Sequence, residues 1–135
     1  MQIECKANKE NEEKIVYKLR SFLKDEGLSD AEISEVVTAV TEAISNVIVH
    51  AYPQKEGALR LEAALEEDAI KITIEDDGVG IKDVIKAKQP FFATKSELEH
   101  SGMGFCFMEE FMSAVDVTSQ PEKGTCVSMQ YVRCA

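Results

Sequence analysis

The chain has 135 residues and a formal net charge of -10, with 15 lysines and arginines against 25 aspartates and glutamates. This length predicts a single domain over residues 1–135, and 44% hydrophobic residues is enough for a folded core. The acidic charge disfavours direct binding to nucleic acid, whose phosphates it repels. No stretch approaches the ~20 consecutive apolar residues of a membrane-spanning helix, and the first residues lack the apolar block of a signal peptide. We therefore expect a cytoplasmic protein without a membrane partner.

The first half of the chain predicts one strand followed by two helices. Residues 2–7 alternate between apolar and polar, which is typical of a half-buried strand. Asn8 can cap the helix that follows. Ser29 and Glu32 have the spacing of a capping box at the start of a second helix, which we expect to end at Pro53. Its apolar stripe consists of Ile33, Val36, Val37, Val40, Ile44, Val47 and Ile48.

The second half of the chain predicts a hairpin, a loop, a helix and a second hairpin. In chain order these are strands at 59–65 and 70–74 around an acidic turn at 66–68, a lid-like loop at about 82–101, a helix from 102 to about Ala114, and strands at 115–119 and 125–133. This order of elements indicates an α+β fold, a two-layer sandwich with a mostly antiparallel sheet and helices on one face.

Glu42 and Asn46 lie four residues apart on the second predicted helix. At about 100° per residue they face away from the apolar stripe that includes Val40 and Ile44. Taken alone, this pattern is typical of an ordinary solvated helix face. A carboxylate beside an amide oxygen also suits Mg²⁺, which takes oxygen ligands, and a free carboxylate can serve as a general base.

Asp76, Gly78 and Gly80 follow the strand expected at 70–74. An Asp-Gly pair in such a place is frequently only a turn. The pattern also suits a base-binding site, because Asp76 can accept a hydrogen bond from an exocyclic amine and the glycines let a flat ring approach the backbone. The spacing matches neither the Rossmann motif nor the P-loop.

Ser101, Gly102, Met103 and Gly104 stand at the expected start of a helix. Free backbone N–H groups and the positive end of the helix dipole make such a start a natural phosphate site, although glycines there also allow tight packing. Lys95, in the expected lid, can neutralise phosphate or be one of many solvated lysines. Each of these signals is weak, but their order along one small domain is informative.

The cysteines and histidines show no metal-ligand spacing. They are Cys5, Cys106, Cys126 and Cys134, with His50 and His100. In a reducing compartment we expect the cysteines to be small apolar residues. A metal site would therefore need carboxylates or an asparagine.

Three short motifs follow one another in the order found in one ATPase and kinase superfamily. They are Glu42-Ala43-Ile44-Ser45-Asn46, Asp76-Asp77-Gly78-Val79-Gly80-Ile81 and Gly102-Met103-Gly104-Phe105. With them the chain resembles the superfamily that contains the nucleotide lobe of sensor histidine kinases, the Hsp90 chaperone and the gyrase B subunit. Within it the chain is most similar to bacterial anti-sigma factors that are also serine kinases, above all the sporulation anti-sigma F factors. Residues 42–52, 89–95 and 97–112 carry this closer similarity.

The resemblance implies a Bergerat-type ATP-binding fold, ATP or ADP with Mg²⁺ as cofactors, and a homodimer. It implies two protein partners, a sigma factor and an anti-anti-sigma protein that the chain phosphorylates on serine. By their positions in the motifs, Glu42 resembles the catalytic base, Asn46 the Mg²⁺ ligand and Asp76 the adenine reader. The other candidate nucleotide-binding residues are Gly78, Gly80, Thr94, Lys95, Ser101, Gly102, Met103, Gly104 and Thr125.

One residue departs from the family pattern, and the residues that contact the protein partners are not decided by it. His100 stands where the family often has arginine just before the Ser-Gly-Met-Gly run, so a permanent charge becomes a titratable one. The family also uses a basic residue of its first helix to contact a partner. The candidates for that residue here are Lys14, Lys18 and Arg20. We expect the dimer interface on the first strand and the first helix.

Other functions compete with the one that the resemblance implies. The chain could restrain a stress-response sigma factor of the sigma B type, or it could be a nucleotide-gated binding module without kinase activity. A sensor-kinase lobe is a third alternative. Such a lobe needs a dimerisation helix pair with a phospho-accepting histidine, for which the residues before position 8 leave no room.

Overall fold

The computed structural model describes residues 1–52, 57–78, 112–120 and 124–132. In chain order these residues hold one strand, two helices, a short π-helical turn and four further strands. The elements are β1 (Gln2–Lys6), α1 (Lys9–Asp25), α2 (Asp30–Asn46), the π-helical turn (Val47–Ala51), β2 (Ala58–Glu66), β3 (Ala69–Asp76), β4 (Ala114–Gln120) and β5 (Gly124–Val132).

The five strands form one antiparallel sheet in the order β1-β2-β3-β5-β4. The predicted hairpin is β2 and β3, and Glu67 and Asp68 form its two-residue turn. The sheet places β1 beside β2, with Ile3 opposite Leu61, although both helices separate these strands in sequence. This strand order puts β3 at the centre of the sheet, between β2 and β5.

One face of the sheet is covered by the helices. Along β2, β3 and β5 the buried residues alternate with more exposed ones, which is the pattern of an antiparallel sheet with one packed face. The apolar residues of that face and of the helices form one core cluster, which includes Leu59, Leu61, Ile70, Ile72, Ile74, Val127 and Met129 from the strands and Ile15, Leu19, Leu23, Ile33, Val36, Val40 and Ile44 from the helices. The predicted α+β two-layer sandwich, with an antiparallel sheet and helices on one face, is therefore confirmed.

Both helices begin at the caps that the sequence predicts. The Asn8 side chain accepts a hydrogen bond from the Asn11 N–H at 2.8 Å. The Ser29 hydroxyl accepts from the Glu32 N–H at 3.2 Å, and the Glu32 carboxylate accepts from the Ser29 N–H at 3.0 Å, which completes the capping box. These bonds satisfy N–H groups that a helix start leaves without partners.

The α-helix containing Glu42 ends earlier than predicted. Its α-helical hydrogen bonding continues only to Asn46, and Val47–Ala51 form the π-helical turn, while Pro53 lies outside the described residues. The apolar spacing of this segment is equally compatible with an α-helix, so the sequence alone does not reveal the change. Single π-helical turns are often found at functional sites.

The last predicted helix, expected from 102 to about Ala114, does not extend over residues 112–114. Ala114 is the first residue of β4, and Met112 and Ser113 lie in no helix. The Ser113 N–H donates to the Gln130 carbonyl at 2.8 Å, and the Ser113 hydroxyl accepts from the Val132 N–H at 3.0 Å. These bonds tie the segment to β5. The other residues predicted to form that helix, 102–111, and the predicted lid at about 82–101 lie outside the described residues.

In the part of the chain that the structure describes, no helix is both long and apolar enough to cross a membrane.

Candidate functional site

Asp76 is the buried carboxylate of the candidate site. It is the last residue of β3, opposite Thr125 of β5, and it shares the helix-facing side of the sheet with Ile74 and Ile72. Only 6% of its surface is exposed. Burial raises the pKa of the Asp76 carboxyl, and nearby backbone N–H groups partly offset that rise. A carboxylate at the end of a packed strand is well placed to bind a ligand between the sheet and the helices.

The hydrogen bonds of Asp76 leave part of its carboxylate free to accept from a ligand. The Gly78 N–H donates to Asp76 Oδ1 at 2.9 Å, and the backbone N–H groups of Gly78 and Thr125 lower the pKa of the Asp76 carboxyl. An ionised carboxylate has about four acceptor positions, and the bond from Gly78 uses one of them. The remaining positions suit an N–H donor such as the exocyclic amine of a nucleotide base.

Gly78 and Gly124 allow the backbones around Asp76 to pack closely. A Cβ on Gly78 would overlap the carbonyl oxygen of Ala51, the last residue of the π-helical turn. Gly124 has a φ of +114°, which other residues rarely adopt, and a Cβ there would overlap the Asp76 carbonyl oxygen. Both glycines are therefore required by close contacts, one with the helix layer and one with β3.

Thr125 lies beside Asp76 with its hydroxyl in a small hydrogen-bonded group. The Ser119 hydroxyl donates to the Gly124 carbonyl at 3.2 Å and lies 3.1 Å from the Thr125 hydroxyl. If Ser119 donates to the carbonyl, Thr125 donates to Ser119, and the lone pairs of Thr125 stay available. Thr125, a predicted adenine contact, therefore lies opposite Asp76, the predicted adenine reader.

Glu42 and Asn46 lie on the last turns of α2, close to the end of the helix layer that meets Gly78. Both side chains are half-buried, in contrast to the solvated face that the sequence pattern allows. Asn46 directly precedes the π-helical turn, whose last residue, Ala51, contacts Gly78. A carboxylate and an amide oxygen are hard donors that suit Mg²⁺, which usually binds one or two protein ligands together with substrate phosphates. In the described residues no cluster of three or more His, Cys, Asp or Glu forms a separate metal site.

Glu12 of α1 provides a second carboxylate near Glu42. The sequence analysis did not identify Glu12 as a site residue. Burial raises the pKa of the Glu12 carboxyl, and the negative charges of Glu13 and Glu42 add to that rise, whereas Lys9 opposes it. Its Oε2 atom is buried and has no hydrogen-bond partner in the described part of the chain. No spacing in the sequence relates Glu12 to Glu42, because only the packing of α1 on α2 brings them together.

Tyr52 and Arg60 hold the turn that follows β3, and neither was singled out from the sequence. The Tyr52 hydroxyl accepts from the Asp77 N–H at 2.7 Å and donates to the Ala58 carbonyl at 2.6 Å. The Arg60 guanidinium donates two hydrogen bonds of 2.8 Å to the Asp77 carboxylate, which lowers the pKa of Asp77. Asp77 thus points outward to Arg60, whereas Asp76 points into the fold.

The cysteines that the structure describes fit the prediction of ordinary small side chains. Cys5 and Cys126 are free and half-buried, and burial raises the pKa of both thiols.

Seven of the predicted site residues lie outside the described residues and stay predictions: Gly80, Thr94, Lys95, Ser101, Gly102, Met103 and Gly104. Cys106, Cys134 and His100 lie outside them as well.

The histidine kinase-like ATPase domain family matches residues 5–131 of this chain. Among curated proteins, the anti-sigma F factor of Bacillus subtilis is 40% identical over 130 residues, which are 96% of this chain and 89% of that protein. The anti-sigma F factor of Clostridium perfringens is 39% identical over 131 residues, 96% of this chain and 94% of that protein. That of Oceanobacillus iheyensis is 48% identical over 99 residues, 73% of this chain and 68% of that protein.

Two solved structures share the fold at low sequence identity. The RsbU and RsbW domains of a Mycobacterium tuberculosis protein give a TM-score of 0.71 at 17% identity, and the match covers 98% of this chain and 31% of that one. The SiaB–SiaC complex of Pseudomonas aeruginosa gives a TM-score of 0.68 at 18% identity, covering 98% of this chain and 89% of that one. The resemblance that the three motifs indicate is confirmed by the family match and by the nearly full-length relatives. The chain belongs to the histidine kinase-like ATPase domain family and, within it, to the anti-sigma F factors.

Proposed function

We propose that this chain binds a sporulation sigma factor of the sigma F type and, as an ATP-dependent serine kinase, phosphorylates the anti-anti-sigma protein that opposes it. The observation that carries the proposal is the buried Asp76 carboxylate, which keeps acceptor positions free beside Gly78 and Thr125. The ATPase family to which the chain belongs supports a nucleotide as the ligand.

Adenine recognition follows from the hydrogen-bond capacity of Asp76. Its free acceptor positions suit the exocyclic amine of adenine, whereas the oxygen at the same place in inosine or guanine has no proton to donate. Gly78 has no side chain, so the turn after β3 packs against Ala51 while its N–H bonds to Asp76 Oδ1. Thr125 offers a hydroxyl next to the same carboxylate. These groups favour ATP or ADP over other nucleotides.

Phosphoryl transfer is assigned to the end of α2. Glu42 accepts the proton of the partner's serine hydroxyl while that oxygen bonds to the γ-phosphorus and the bond to the β–γ bridging oxygen breaks, so that ADP leaves. Asn46 would hold Mg²⁺, which when bound neutralises negative charge on the phosphates. Such transfer needs mainly positioning and electrostatic stabilisation, so a small domain suffices. Lys95 and the turn at 102–104 are predicted to contact the phosphates.

The kinase proposal is tested with Glu42→Gln, which keeps the size of the side chain and removes the base. Wild type and variant are mixed with γ-labelled ATP and a candidate anti-anti-sigma protein, and phosphoserine is measured. We expect the transfer rate to fall by about 10²–10⁴-fold while ATP binding is kept. Glu35→Gln is the matched control, because Glu35 lies two turns earlier on the same face of α2. If Glu42→Gln phosphorylates the partner as fast as the wild type does, Glu42 is not the general base.

Binding of a sigma factor is supported by the names of the relatives and by charge. The relatives that match nearly the full chain are anti-sigma F factors. A net charge of -10 complements the basic, DNA-facing helices of a sigma factor. Binding that depends on ATP would join the two activities in one switch, because phosphorylation of the antagonist uses the same nucleotide.

Nucleotide-gated sigma binding is tested by pull-down of a sigma F type protein with ATP, with ADP and without nucleotide. We expect retention by the wild type to be strongest with ATP, and retention by Asp76→Asn to be weak even when ATP is added. A sigma B type protein in the same assay separates the stress-response alternative, and stronger retention of that protein would favour it. Equal retention with and without nucleotide would contradict gating.

A homodimer formed through β1 and α1 completes the proposal. In the order of the described strands β1 lies at one edge of the sheet, and Tyr17 of the neighbouring helix is 75% exposed. An unpaired strand edge beside an exposed aromatic side chain is a typical contact between copies. Analytical ultracentrifugation with and without ATP measures the oligomeric state. We place the protein in the cytoplasm, where sigma factors act.

A further inference from the structure

Tyr52 is buried where the helix layer meets the sheet. It directly follows the π-helical turn, and only 6% of its surface is exposed. Its hydroxyl donates to the carbonyl of Ala58, the first residue of β2, at 2.6 Å. The same hydroxyl accepts from the N–H of Asp77, the residue after β3, at 2.7 Å. One side chain from the end of the helix layer is thus bonded to the start of β2 and to the residue that follows β3.

The bond to Asp77 fixes the backbone that carries the Asp76 carboxylate. The Asp77 N–H belongs to the peptide unit that begins with the Asp76 carbonyl, and this unit is planar. Holding its N–H therefore restricts the rotation of the backbone at Asp76. The Gly78 N–H then bonds back to Asp76 Oδ1 at 2.9 Å. Asp76 is consequently held both by its own side chain and through the peptide that follows it.

The Tyr52 ring packs closely against the backbone of Gly57. A Cβ on Gly57 would overlap the Tyr52 ring, so the glycine leaves the space that the ring occupies. Burial raises the pKa of the Tyr52 hydroxyl, so it keeps its proton at neutral pH and can donate and accept at once. Arg60 separately fixes the Asp77 side chain through two bonds of 2.8 Å.

We propose that Tyr52 is a positioning residue for base recognition: its hydroxyl couples the end of the helix layer, which carries Glu42 and Asn46, to the turn that carries Asp76. The base and the phosphates of an adenine nucleotide are then bound at a fixed spacing. This inference rests on the proposed nucleotide site. It adds a residue that acts through Asp76 and does not itself touch the base.

The test compares the binding of ATP and inosine triphosphate by the full chain and by Tyr52→Phe. The variant removes only the hydroxyl, so the Asp77 N–H loses the partner that orients Asp76. We expect the Kd for ATP to rise about three- to tenfold while the Kd for inosine triphosphate changes little, because only adenine has the amine that Asp76 accepts. Tyr17→Phe is the matched control, since Tyr17 is exposed on α1 and takes no part in the hydrogen bonds that join Tyr52 to Ala58 and Asp77.

A second variant keeps the test informative if Tyr52→Phe folds poorly. Gly57→Ala leaves every polar group in place but pushes against the Tyr52 ring, so the same loss of preference for ATP over inosine triphosphate is expected. A purely structural role would lower stability and leave that preference unchanged. An unchanged preference in both variants would overturn the inference. A wild-type chain that binds neither nucleotide, or binds both equally, would instead overturn the proposed adenine site on which it rests.

Discussion

Gly78→Ala tests how tightly the turn after β3 packs on the helix layer. The added Cβ would lie 2.6 Å from the carbonyl carbon of Ala51 and 2.7 Å from its Cβ. Ordinary contacts begin near 3.4 Å, so the two segments must separate by about 0.8 Å or more. Ala51 is itself buried and is part of the π-helical backbone, so it cannot move away freely. Overpacking of this kind costs about 1–3 kcal/mol of folding stability.

The same displacement should weaken nucleotide binding. The Gly78 N–H that would move is the donor to Asp76 Oδ1, and hydrogen bonds to charged groups contribute about 1.5–3 kcal/mol. Losing the lower end of that range lowers ATP affinity about tenfold. Urea denaturation measures the stability and calorimetric titration measures the affinity, with Ala114→Ser at an exposed position of β4 as the control. Wild-type values for both quantities in Gly78→Ala would refute the close packing and its role in the site.

Two further predictions concern a buried charge and a helix cap. The folded-state pKa of Asp76 is raised above 3.8, so the wild type should lose stability relative to Asp76→Asn as pH rises from below 3.8 through the folded-state pKa. Urea denaturation at a series of pH values measures this, and a difference that is constant with pH would contradict the raised pKa. Ser29→Ala removes the Ser29 half of the capping box and should cost about 1 kcal/mol, read from the free energy of unfolding. If the free energy of unfolding changes no more in Ser29→Ala than in the control Ala114→Ser, the cap contributes little.

Local patterns were sufficient to predict most of the fold. The caps at Asn8 and Ser29 depend on residues three positions apart, and the alternation in β2 and β3 depends on neighbours along one strand. Asp76 could be placed at the end of a strand for the same reason. These features are encoded within a few residues, so a single sequence reveals them.

The contacts between distant segments could not be predicted. Tyr52 and Asp77 are 25 residues apart, and Arg60 and Asp77 are 17 apart, yet their bonds define the turn beside the site. Their spacing follows no helical or strand period. The position of β1 beside β2, and of Glu12 near Glu42, likewise depends on how whole elements pack.

The π-helical turn shows a different limit of sequence reasoning. The residues of Val47–Ala51 continue the apolar stripe of α2, so their pattern predicts an α-helix. The close contact of Ala51 with Gly78 and the two bonds of the neighbouring Tyr52 are tertiary interactions that accompany the change in helix type. The residues with the clearest functional pattern, Glu42 and Asn46, directly precede this irregular segment.

The central claim is that an adenine nucleotide binds at Asp76. Titration of the wild type and of Asp76→Asn with ATP and Mg²⁺ tests it most directly. The substitution replaces one carboxylate oxygen with an NH₂ group, which cannot accept from the amine of a base, and the Gly78 N–H already uses one position of an oxygen at this site. We predict saturable binding by the wild type and a loss of at least about tenfold in Asp76→Asn. Equal affinities in the two proteins would contradict the account.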